Sequence, residues 1–167
     1  MEFWPYILPL PRDRADQRRF LISIFGSDTA LDILRNVSLQ SRVYQKDLIK
    51  GLKYSNKTII QNLKTLVSLG VLQEGMEKVL ERGRVFWLKW YLPTSIGKWI
   101  VLLLLPPEKV DAKLVEETLR ELFELYVKNA IELCKTYDLS LEILKSVFEE
   151  SFPSLQQPFP SATCMET

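Results

Sequence analysis

At Gly70 the spacing of apolar residues changes from the period of a helix to the period of a strand, and this constrains the fold more than any other feature. Before it, Ile59, Leu63, Leu66 and Leu69 recur at intervals of four, three and three, which lines one face of an α-helix. Ser55 is a good N-cap, so the helix is expected over 55–69, with Gly70 stopping it at the C′ position. After it, Val71-Leu72-Gln73 opens a strand, and Glu81-Arg82-Gly83-Arg84 makes a polar turn. Val85-Phe86-Trp87-Leu88-Lys89-Trp90-Tyr91 is then a strongly β-prone return strand.

Further elements follow from local chemistry. Prolines 5, 9 and 11 forbid a regular helix near the start, so 1–15 is expected as an arm with a packing role. A short helix is expected over 16–25, and a second over 29–37 after the Gly26-Ser27-Asp28 break. A third over 44–52 places Leu48, Ile49 and Leu52 on one face. Thr94 and Ser95 offer caps for a helix over 96–105, which Pro106-Pro107 ends. A long helix over 108–137 and a shorter one over 141–152 complete the ordered part, and 153–167, with three prolines, is expected to be disordered. The fold class is therefore mainly α with one small β-hairpin.

Composition removes whole function classes. The chain of 167 residues contains no histidine, and its two cysteines, Cys134 and Cys164, are thirty residues apart. Cys/His zinc sites, histidine general bases and Ser-His or Cys-His nucleophile pairs are thereby excluded. No glycine-rich phosphate loop and no paired acidic motif with metal spacing is present, so no enzyme, metal or cofactor is expected. The longest apolar run, Trp99 to Leu105, is far short of the roughly 20 residues of a membrane span. The first residues lack the basic flank of a signal peptide. The expectation is a cytoplasmic protein with no membrane partner.

The order helix, helix, tight turn, helix, glycine, hairpin, helix is that of a winged helix-turn-helix. Asp47-Leu48, Ser55, Thr58-Ile59, Leu63, Leu66 and Gly70-Val71-Leu72 resemble the helix-turn-helix of the ArsR and MarR regulator families. Those families run D-L-x-x-x-L-x-x-S-x-x-T-V-x-x-x-L-x-x-L-x-x-x-G-L-V through these elements. Tyr91-Leu92-Pro93-Thr94-Ser95-Ile96-Gly97 is similar to the Y-x-L-T-x-x-G that closes their wing and opens the next helix. The metal-sensing members carry a Cys-x-Cys box before the Asp-Leu pair, where this chain has Val43-Tyr44-Gln45-Lys46. Thiolate metal sensing is absent there, and the likeness is to archaeal-like members without that box. The resemblance implies a DNA-binding domain over 16–105, followed by a helical dimerisation region over 106–152.

Charge is distributed as a DNA reader requires, although the net charge is only +1. Between Arg42 and Lys64 six basic residues face Asp47 alone, a net of +5. Lys78 to Trp90 holds four basic residues and Glu81, a net of +3, whereas 108–150 holds eleven acidic and six basic residues, a net of −5. With the apolar face set aside, the recognition helix presents Asn56, Lys57, Thr58, Ile60, Gln61 and Lys64. Asn56 and Gln61 suit bidentate contact with adenine, Lys57 suits guanine or phosphate, and Ile60 either meets a thymine methyl or packs beneath the wing. Lys46, Lys53, Tyr54 and Ser55 are placed for phosphates, and Arg82 and Arg84 for the groove edge beside the basic wing over 78–90.

Along the long helix Val115, Leu119, Leu122, Tyr126, Ala130, Leu133 and Tyr137 form a packing stripe. It is expected to join two copies, with packing within one chain as the other reading. Phe86, Trp87, Trp90, Tyr91 and Trp99 leave two readings, a small-molecule effector pocket or plain core. The functional expectation is a sequence-specific transcription regulator that binds a palindromic operator in double-stranded DNA as a homodimer. The alternative is a winged-helix protein–protein module in a transcription, replication or chromatin complex.

Overall fold

All but one of the helices of the N-terminal part begin where a side chain accepts the first free N–H groups. The computed structural model describes residues 8–81, 83–106 and 110–151. Residues 1–7 of the expected arm, the turn residue Arg82 and the tail from 152 lie outside the described residues. Helix α1 (Arg14–Phe25) starts two residues earlier than expected, because the Asp13 carboxylate caps it, accepting from the N–H groups of Ala15 and Asp16 at 2.8 and 3.1 Å. Ser27 caps α2 (Asp28–Asn36), and Ser55 caps α4 (Asn56–Ser68) through the Thr58 N–H at 3.1 Å. Helix α3 (Gln45–Gly51) precedes α4 and has no side-chain cap.

The end of α4 follows the chemistry of its glycine. Gly70 has φ 70°, a conformation that costs an L-residue about 1–2 kcal/mol. Its N–H donates to the Val67 carbonyl and the Val71 N–H to the Leu66 carbonyl, both at 3.0 Å. Two otherwise orphaned carbonyls are thereby satisfied, and the chain is turned into the sheet.

Strands β2 (Leu72–Glu81) and β3 (Arg84–Pro93) pair antiparallel from Leu72↔Pro93 to Glu81↔Arg84, with Gly83 at φ 76° in the turn. A third strand, β1 (Val43–Tyr44), pairs antiparallel with β3 through Val43↔Tyr91 and Tyr44↔Trp90, giving the order β1-β3-β2. This strand corrects the sequence reading, which began a helix at Tyr44. Two residues carry no period, and their partners lie almost fifty residues downstream.

Helix α5 (Ser95–Leu104) is capped by Thr94, whose hydroxyl accepts from the Gly97 N–H at 3.1 Å. The same hydroxyl donates to the Gly70 carbonyl at 2.6 Å, and the Thr94 N–H donates to the Val71 carbonyl at 3.0 Å. A Cβ on Gly97 would overlap that Val71 oxygen. The exit of α4 and the entry of α5 are thus locked together at a contact that only glycine permits. Helix α6 (Ala112–Thr136) and helix α7 (Glu142–Ser151) follow.

The chain is mainly helical with a small three-stranded antiparallel sheet. It divides into two compact units, Met1–Leu122 and Phe123–Thr167, the boundary falling inside α6. The first has one apolar core: Phe20 and Ile24 of α1, Ile33 and Leu34 of α2, Ile59, Leu63 and Leu66 of α4, Val71, Leu72 and Tyr91 of the sheet, and Ile100 and Val101 of α5. Lys98 of α5 and Glu121 of α6 form an ion pair at 2.6 Å within this unit, which holds the Glu121 carboxyl below the usual carboxylate range. In the second unit Asp138 takes a left-handed φ of 52°, closing α6 through a Leu139 N–H to Cys134 carbonyl bond at 2.9 Å.

Candidate nucleic-acid interface

Helix α4 separates its residues cleanly by face. At about 100° per residue, Lys57, Gln61 and Lys64 stand about 200° from Ile59, Leu63 and Leu66 respectively. The last three are buried to 1% exposure or less, and the first three are exposed, as is Asn56. Ile60 lies half-buried at the border between the two faces. The outward stripe of a 13-residue helix is about 20 Å long. It carries two side chains able to donate and accept at once and two cations.

Residues of α2 hold this helix in place. The Ser27 hydroxyl, which caps α2, also donates to the Asn62 side-chain oxygen at 3.0 Å, and the Asn62 amide donates to the Thr58 carbonyl. The Tyr54 hydroxyl donates to Asp32 at 2.7 Å, so the turn between α3 and α4 is tied to α2. The hydroxyls of Ser55 and Thr58 are hydrogen-bonded to each other at 2.7 Å. Tyr54, Ser55 and Thr58, three of the expected DNA contacts, therefore have their hydroxyls engaged within the chain. Asn62 and Asp32 are positioning residues that spacing alone did not reveal, since their partners lie 35 and 22 residues away.

The Tyr54–Asp32 bond has a consequence in pH. Tyr54, and after it Arg35, holds the Asp32 carboxyl below its ordinary 3.8, and Asp32 raises the Tyr54 hydroxyl above its ordinary 10.0. A depressed carboxyl stabilises the fold above its ordinary pKa and loses that contribution as pH falls through the depressed value. A raised phenol stabilises below its ordinary pKa and loses the contribution as pH rises through the raised value. Tyr54→Phe is therefore expected to lower the urea midpoint throughout neutral pH. The deficit against wild type should shrink both below pH 3.8 and well above pH 10; a deficit constant across pH would show that the bond is not the cause.

The net charge of +3 over 78–90 is smaller over the whole hairpin. Over 72–93 the four basic residues face Glu74, Glu77 and Glu81, a net of +1. Lys89 pairs with Glu74 at 2.7 Å, and Arg42 of the preceding segment reaches Glu77 at 3.2 Å. Arg42 also lies 4.4 Å above the Trp90 ring, which itself lies so close to Gly75 that a Cβ there would overlap it. Lys78 and Arg84 are exposed, and neither pairs with Glu74 or Glu77. Around the exposed Lys78, the distal hairpin places Met76, Leu80, Val85 and Trp87 on one face, each at least half exposed, since Leu80 opposes Val85 and Lys78 opposes Trp87.

Lys46, Lys50, Lys53, Lys57 and Lys64 are exposed, and none pairs with a described carboxylate. Pairing thus divides the cations that a simple count treats alike: Arg42 and Lys89 are ion-paired, while the five lysines of α3, α4 and their connection form no ion pair with a described carboxylate. The five aromatics do not form one cluster. Tyr91, bonded through its hydroxyl to Gln45 at 2.9 Å, and Trp99 are buried, Trp90 lies under Arg42, and Phe86 and Trp87 point to opposite faces of the exposed hairpin. Among the described residues no group of three or more Cys, Asp or Glu is placed to hold a metal ion, and no helix is long and apolar enough to cross a membrane. No protein-family model and no curated protein matches the chain.

Proposed function

We propose that the chain is a sequence-specific DNA-binding transcription regulator of the cytoplasm, built as a winged helix-turn-helix of the ArsR/MarR type, with α4 as the recognition helix. The observation that carries this reading is the stripe Asn56, Lys57, Gln61 and Lys64 on α4, set among further lysines that no described carboxylate neutralises. Asn and Gln at such a surface match the donor–acceptor edge of adenine, and free lysines match phosphate. A helix of this length fits a major groove about 12 Å wide. The assignment is to a binding protein, not an enzyme. The test is selection from a random pool of duplexes at several salt concentrations. A defined motif should emerge for wild type and be lost or altered for Asn56→Ala/Gln61→Ala. Recovery of unselected sequence by both proteins would defeat the assignment.

One observation favours a second reading, that of a winged-helix protein–protein module. Met76, Leu80, Val85 and Trp87 surround Lys78 with exposed apolar surface on one face of the hairpin, more than a wing that only binds phosphate needs. Under that reading the pool yields no motif, and Leu80→Glu/Trp87→Glu abolishes complex formation with the partner.

A further inference from the structure

We infer that the hairpin drives an apolar wedge, Leu80 beside Val85, into the minor groove of the bound duplex and bends it. The inference rests on the DNA-binding assignment and deepens it. Among the described residues, the outermost hydrogen bonds from the hairpin to the rest of the chain are those of Arg42 and Tyr44 to Glu77. Beyond Glu77 four residues of each strand, ~14 Å at about 3.4 Å each, pair only with each other in the sheet. Leu80, at 72%, is the most exposed large apolar side chain among the described residues, and Val85 opposite it is 50% exposed. The sheet's part of the core ends at Leu72 and Tyr91, so this pair adds nothing to it.

Size and charge select a nucleic acid as the occupant. Met76, Leu80, Val85 and Trp87 are 57, 72, 50 and 62% exposed. At on the order of 150–200 Å² per large side chain they present about 400 Å², half of the roughly 800 Å² that each partner buries in a standard protein interface. A protein would also have to bury the Lys78 ammonium within the patch, where interfaces are poor in lysine. A bilayer is a worse fit. The turn sequence Glu81-Arg82-Gly83-Arg84 leads the hairpin, and beyond Glu77 neither strand edge has a further strand beside it. Hydrocarbon would receive charges and unpaired backbone groups.

A duplex meets each of these groups. Lys78 and Arg84 are exposed close to the apolar pair in the chain, where phosphates on the two groove walls can take them. Leucine is among the side chains that enter between base steps from the minor groove, unstacking them and kinking the duplex. Strand β2 leaves the end of α4 through Gly70 and Val71 and is ten residues long, about 34 Å. The minor groove beside the major groove that α4 would occupy lies half a helical turn away, about 17 Å. The hairpin is long enough to reach it. Such a wedge adds selectivity where no hydrogen bond reads a base, because pyrimidine–purine steps unstack most easily.

The test uses the full chain and a duplex of about 30 base pairs with a central TA step, a dye at each end and 2-aminopurine in the step. Wild type should raise energy transfer between the ends, as a bend of about 20–90° requires, and brighten the 2-aminopurine as it unstacks. Leu80→Ala/Val85→Ala should lose most of both signals and bind about tenfold more weakly, with the salt slope unchanged because no cation is removed. Leu80→Phe, which keeps a wedge side chain, should retain both signals. Phe86→Ala, on the opposite face, should also leave them intact. Wild type that binds the duplex without bending it overturns this inference and leaves the DNA-binding assignment standing, whereas failure to bind any duplex defeats both. A bend that survives the folded double-alanine variant, or that Phe86→Ala abolishes equally, also overturns it and gives the apolar face to another macromolecule.

Discussion

Gly97→Ala is expected to lower the stability of the chain by on the order of 3–5 kcal/mol, a large part of the roughly 5–15 kcal/mol that holds a typical domain together. The added methyl would occupy the position of the Val71 carbonyl oxygen, with Val71 carbonyl carbon and Pro93 Cβ also in contact. Backbone cannot rotate aside as a flexible side chain does, so α5 must move away. Overpacking of this kind costs about 1–3 kcal/mol and sometimes more. The move also stretches the Thr94 N–H to Val71 bond and the Gly97 N–H to Thr94 hydroxyl bond, each contributing about 1 kcal/mol. At about 2–4 °C per kcal/mol for a chain of this size, the melting temperature should fall by about 10 °C or more. Gly51→Ala is the control: it closes α3 with nothing within 4 Å of the added carbon, and alanine there should be neutral or stabilising by up to about 1 kcal/mol. If the two variants melt together by circular dichroism, the close approach at Gly97 is not what holds this junction.

The same junction shows what the sequence makes legible. Ser55 and Gly70 act on groups within a few residues of themselves, so both ends of α4 could be read to within a residue. Thr94 and Gly97 were visible as part of a resemblance, but their reason is a carbonyl more than twenty residues away. Strand β1 was missed for the same cause, since what makes Val43 and Tyr44 extended is Trp90 and Tyr91. Charge misled in a related manner: a window opened at Lys78 leaves out Glu74 and Glu77, which strand pairing and folding bring to Lys89 and Arg42. The stripe on α6 keeps one spacing along its length, so spacing does not reveal that Leu122 is covered while Tyr126 is bare. Local chemistry was legible, and whatever depended on a distant partner was not.

That division of the cations leads to the largest functional effect. Lys46→Ala/Lys53→Ala/Lys57→Ala is expected to weaken duplex binding on the order of 10²–10³-fold at 0.1 M salt. Each lysine that meets a phosphate releases a counterion and adds about 0.9 to the slope of log affinity against log salt. Each such contact is therefore worth nearly tenfold per decade of salt. The slope should flatten by about three per bound chain, with the preferred sequence unchanged, because phosphate contacts position and base contacts specify. Gln61→Ala should do the reverse, relaxing one base preference by about 1–3 kcal/mol and leaving the slope alone. Arg42→Ala and Lys89→Ala are the discriminating controls. Both residues count toward the basic character of the chain, yet Glu77 and Glu74 already hold them, so neither should alter the slope. Equal losses from the paired and the unpaired cations, measured by fluorescence anisotropy across a salt series, would mean that only diffuse positive charge is felt. A loss confined to the unpaired lysines would locate the duplex along α3, α4 and the connection between them.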